Sequence, residues 1–138
     1  MKIPTQQRAD QVKTNAQEGV TNINNVVSDL NVAKETNKRK LTQYAEKAID
    51  RIDANTDLTA DDKTKIEQAI EDARDKGITN IDAVTTTVAD VEAAEKEAEE
   101  NINVAATAGD NLLNTQRNTA KQAIEGAATK AKSDIENN

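Results

Sequence analysis

Asp53, Asn55, Asp57, Thr59 and Asp61 place an oxygen-bearing side chain at every second position. A helix–loop–helix calcium site presents its ligands with the same alternation. Such a site also needs a glycine at its sharp turn and a glutamate as the closing bidentate ligand. Here Leu58 stands at the turn position and Thr64 at the closing one, so the stretch reads as a solvated loop leading into a helix cap. A second concentration of carboxylates, Glu92, Glu95, Glu99 and Glu100, reads as a solvated helix face rather than an acid–base pair. Ser28 and Ser133 lie in polar surroundings with no base motif, and the chain contains neither His nor Cys. Nucleophile-plus-base catalysis has little to draw on in such a set. Gly19, Gly77, Gly109 and Gly126 are isolated, so none belongs to a phosphate-cradling loop. The expectation is a protein that is not an enzyme, with no catalytic, cofactor-binding or metal-ligating residues.

The elements that would carry these side chains are helices. Tyr44 is the only aromatic residue among 138, and the apolar complement is mainly Ala, Val and Ile. Side chains of this size fill a thin seam between long helices, not the centre of a thick globule. The charged fraction is 31%, which leans toward disorder. A single Pro, four Gly and a periodic apolar pattern oppose that reading. One stripe runs Val12, Ala16, Gly19, Ile23, Val26, Leu30, Ala33 and resumes at Leu41, Ala45, Ala48, Ile52. A second runs Ile66, Ile70, Ala73, Gly77, Ile81, Val84, Val88, Val91, Ala98 and Ile102, and a third Ile124, Ala128, Ala131 and Ile135. Steps of three and four mark amphipathic helices in a coiled bundle. No stretch alternates with period two, so no strand is expected.

Self-comparison shows a repeat. The segment from Val12 to Asn24 matches Val91 to Asn103 at an offset of 79, with Asn-Ile-Asn in common, and Tyr44 to Asn55 matches Ala127 to Asn138 at an offset of 83. The unit is therefore about 80 residues long, the size at which arrays stack unit on unit. The four-residue difference falls near Thr107 to Asp110 and reads as extra loop. Breaks are expected at Asn55 to Thr59, at Thr85 to Thr87, at Gly109 and between Asn24 and Asp29, with Thr59, Thr87 and Ser28 as caps. The resulting expectation is five helices over about 5–26, 28–54, 59–84, 87–107 and 110–137. Residues 1–86 would form a three-helix bundle and 87–138 a helical hairpin continuing the array. The fold class is all-α, with elongated three-helix-bundle repeats in tandem. The alternative arrangement is a continuous helix shared by successive units, because the apolar phase carries across Thr85 to Thr87 and nearly across Asn24 to Asp29.

The formal net charge is -7. Phosphate backbones and anionic membrane surfaces repel such a surface, so nucleic acid and membrane are not expected partners. No apolar run approaches the roughly 20 residues needed to span a bilayer.

The run from Ala48-Ile49-Asp50-Arg51-Ile52-Asp53-Ala54-Asn55 to Leu58-Thr59-Ala60-Asp61-Asp62-Lys63 resembles the core of a helical repeat in Gram-positive wall-anchored proteins. That repeat was long catalogued as a domain of unknown function and is now called the SasC/Mrp/FmtB intermolecular aggregation repeat. Gly77-Ile78 to Asp82-Ala83 and Val88 to Ala94 are similar to its later segments. The resemblance implies an extracellular stalk, anchored to the cell wall through other parts of a longer protein, that contributes to cell–cell aggregation and biofilm formation. Its implied partners are like repeats on other cells, in weak homophilic contacts. Two other readings stay open: a three-helix module that binds a host extracellular protein, and an intracellular helical scaffold.

Overall fold

The computed structural model describes residues 4–137, and these form three helices: α1 (Pro4–Asp53), α2 (Ala60–Asp82) and α3 (Val88–Glu136). No strand occurs among the described residues. Pro4 opens α1, where its missing N–H costs nothing. Asn55 ends that helix with a side-chain turn, its Oδ1 accepting from the Asp57 amide at 2.8 Å. Thr59 then caps α2 by accepting from the Asp62 amide at 3.1 Å. Thr87 caps α3 in the same way, accepting from the Asp90 amide at 3.1 Å. Both caps fall where the spacing of Thr and Asp places them.

All three helices pack against one another. The core is Leu41, Ala45, Ala48 and Ile52 from α1, Ile66, Ile70 and Ile81 from α2, and Val91, Ala98 and Ile102 from α3, with Leu58 closing one end from the loop. Two glycines set the register. A Cβ on Gly77 would stand 2.5 Å from Ala98 Cβ and 2.7 Å from Leu41 Cδ2. The three backbones meet closely there because position 77 has no side chain. A Cβ on Gly109 would stand 3.0 Å from Ile66 Cδ1 and 3.7 Å from Ile52 Cδ1. Leu41 is therefore level with Ala98, and Ile52 with Gly109. Both pairs have the same separation along the chain, so α1 and α3 run parallel and α2 returns between them.

The bundle uses only the second half of α1 and the first half of α3. Among the described residues none before position 30 and none after 113 is buried beyond a partial degree. Residues 4–29 project from one end as the continuation of α1. Residues 114–136 project from the opposite end as the continuation of α3. At 1.5 Å per residue and in this register the molecule is about 110 Å long.

Four expectations change. Asn24 to Asp29 and Gly109 are not breaks, because each lies inside an unbroken helix, and Ser28 caps nothing. The bundle is consequently built one helix later than expected, from 30–53, 60–82 and 88–113 rather than from the first three of five helices. Val88–Glu136 is one helix, where a hairpin over 87–138 was expected. The four extra residues are no loop either. Inserted in a helix of 3.6 residues per turn, they advance the apolar stripe by about one full turn and keep it on nearly the same face. Helix α1 is continuous across 24–29, and the chain does break at 83–87.

Candidate functional site

The oxygen-rich loop between α1 and α2 is occupied with its own protein contacts. Asn55 and Thr59 serve the turn and the cap. The Asp57 carboxylate lies 3.6 Å from the Arg117 guanidinium, and the Asp53 carbonyl accepts from Lys63 Nζ at 2.8 Å. Asp53 also faces Glu67 on α2. The hydrogen bond the two carboxyl groups share holds the Glu67 pKa above its usual range, and burial adds to the effect. Among the described residues no cluster of three or more His, Cys, Asp or Glu side chains is placed to hold a metal ion.

The acidic face of α3 differs from the expectation. Glu99 is half-buried and Glu92 and Glu100 are exposed, but Glu95 is only 2% exposed and sits in the core. Its Oε2 lies 3.7 Å from Lys40 Nζ on α1, and its Oε1 is buried with no hydrogen-bond partner. Burial is the main cause that pushes the Glu95 pKa up to about 7. A hydrogen bond shared with Glu99 and the charge of that residue push the same way, and Lys40 opposes them. Glu95 occupies the stripe position between Val91 and Ala98, four residues after one and three before the other. That spacing was the available signal, and the acidic neighbourhood obscured it.

Most of the exposed large hydrophobic residues lie on the two arms. Val12, Val20, Ile23 and Val26 on the α1 arm are 58–68% exposed, and Ile124 and Ile135 on the α3 arm are 70% and 77% exposed. Their positions follow the bundle. Ile124, Ala128, Ala131 and Ile135 correspond, at the offset of 83, to Leu41, Ala45, Ala48 and Ile52, all four of which are core residues of α1. Val12, Gly19 and Ile23 correspond, at the offset of 79, to Val91, Ala98 and Ile102, core residues of α3. The α3 arm therefore repeats the pattern of the packed part of α1, and the α1 arm repeats that of the packed part of α3. Tyr44 is half-buried against the core and belongs to neither arm. No helix among the described residues is long and apolar enough to cross a membrane.

Comparison with curated proteins and with solved structures returns no match. A family does match. It is described as Domain of Unknown Function (DUF1542), and it covers residues 33–109. Those limits coincide with the packed bundle and cut both long helices near their midpoints. With more than half of its length matched, this chain belongs to the DUF1542 family.

Proposed function

We infer that the chain is a non-enzymatic spacer, a repeat of a rod-like stalk in which each long helix serves two successive bundles. The observation that carries this reading is the pattern on the α3 arm, where four residues in succession reproduce the four core positions of α1. A seam of that kind is stable only when other helices cover it. A helix that continues from one bundle into the next fixes their spacing without a flexible joint. The resemblance to wall-anchored repeats supports a stalk outside a Gram-positive cell. There it would project a distal part of its parent protein and contribute to aggregation or biofilm formation through weak, repeated contacts along its side faces.

Completing the second bundle tests the array. Asn138 corresponds to Asn55 at the offset of 83, so a copy of residues 56–113 joined after Asn138 supplies an α2-type and an α3-type helix to the α3 arm. The expected result is slow amide exchange over residues 120–136, comparable to that of 37–53. Exchange in that stretch as fast as in the unextended chain overturns the shared-helix array.

A further inference from the structure

The two arms differ in kind, and their difference is complementary. We propose that an arm which no neighbouring repeat of its own chain covers binds a second copy of this chain head to tail, with the α1 arm of one molecule lying parallel against the α3 arm of the next. The proposal rests on reading the arms as half-bundles. In the bundle the α1 pattern meets the α3 pattern in parallel, with Leu41 level with Ala98 and Ile52 level with Gly109. Carried to the arms, that register sets Ile124 of one copy level with Gly19 of the other, and Ile135 level with Leu30.

The polar content of the seam changes on both sides together. Within the bundle Lys40 faces the buried Glu95. The corresponding arm residues are Ala123 and Ala16. Neither arm therefore carries the buried charge that needs a partner, and the joint between copies is drier than the seam inside the bundle. Long-range charge permits the contact as well. Residues 4–29 carry two basic and three acidic side chains, and residues 114–136 carry four basic and three acidic. The arms are thus nearly neutral and of opposite sign, and the acidity of the chain resides in the bundle. Overlapping arms hold the two bundles about 33 Å apart, several Debye lengths at physiological salt, so their repulsion is screened. Like-with-like pairing of two α1 arms or two α3 arms has no counterpart in the bundle. A head-to-tail contact does not close on itself, so it adds copies in an open line. The joint lacks an α2-type helix, which makes it weak.

Sedimentation equilibrium of the full chain at 0.15 M salt, from about 10 µM to about 1 mM, tests the contact. The weight-average mass is expected to rise from 14.9 kDa to at least roughly twice that value at the top of the range. Ile23→Asp blocks the α1 arm and Ile124→Asp the α3 arm, and each change lies outside the bundle, so each variant should melt as the parent chain does. Each alone should remain monomeric. An equimolar mixture of the two retains one good arm of each kind and should form a dimer that grows no further. Association of either variant alone as strongly as the parent overturns the head-to-tail geometry. A monomeric mixture, or a parent chain that stays monomeric at about 1 mM, overturns the contact itself. Neither result bears on the stalk reading, because amide exchange in the extended chain measures helices within one molecule.

Discussion

Replacing Glu95 by glutamine isolates the one ionisable side chain that the bundle buries in its seam. Burial and the neighbouring Glu99 hold the Glu95 proton in the fold to about pH 7, compared with the ordinary value of 4.5. Between those values the folded chain binds more protons than the unfolded one, so this group makes stability fall as pH rises. At about 1.36 kcal/mol per tenfold the difference approaches about 3 kcal/mol once the group is ionised, and sharing of the proton with Glu99 reduces it to about 2–3 kcal/mol. Glutamine has the same shape, offers a donor as the protonated acid does, and does not titrate. Glu95→Gln should therefore match the parent chain near pH 5 and exceed its stability by about 2–3 kcal/mol near pH 8. Urea unfolding of both proteins across that range measures the gap directly. Lys38, Glu67 and the surface carboxylates contribute equally to both profiles and cancel in the difference. A gap that stays constant with pH, or one that closes as pH rises, refutes the placement of Glu95 in the seam.

The two kinds of glycine should respond in opposite directions to alanine. Gly77→Ala forces a methyl against Ala98 and Leu41 and should cost about 1–2 kcal/mol in urea unfolding after the gain in helix propensity. Gly126→Ala meets nothing within 4 Å and should raise the helical circular dichroism of the chain, with up to about 1 kcal/mol favouring the α3 arm. Thr59→Ala and Thr87→Ala each remove a cap and should lower stability by about 1 kcal/mol, whereas loss of a mere surface hydroxyl would leave it unchanged. Millimolar calcium should leave the melting temperature where it is, because the loop oxygens at Asn55, Asp57 and Thr59 already serve the protein. A clear rise would reveal a site that binds only the folded chain.

The parts of this fold that depend on neighbours in sequence were legible from it. Thr59 with Asp62 and Thr87 with Asp90 announce their helices because a cap is a contact over three residues. The seam residues announce themselves through steps of three and four. The misread positions are those where local preference opposes a long-range requirement. Gly109 looks like a helix end, yet it is helical and lacks a side chain because Ile66 occupies the space a Cβ would need. Asn24 to Asp29 contain residues that favour turns, but α1 continues through them and keeps its apolar stripe in phase. Glu95 lies among acidic residues that are partly or wholly exposed, and only its place on the stripe marks it as buried. The offsets of 79 and 83 held the decisive clue to the arms. A difference of four residues is about one helical turn, which a continuous helix absorbs and a loop has no need to match.

The arrangement of one short bundle between two helical arms is tested most directly by small-angle scattering extrapolated to zero concentration, where association between copies is absent. A compact chain of this length has a radius of gyration of about 14 Å. A central bundle with arms of about 39 Å and about 35 Å on opposite ends should give about 27 Å and a distance distribution with a long tail reaching about 110 Å. A value of about 14 Å with a symmetric distribution would mean that the arms fold back on the bundle, and it would contradict the rod and the stalk function inferred from it.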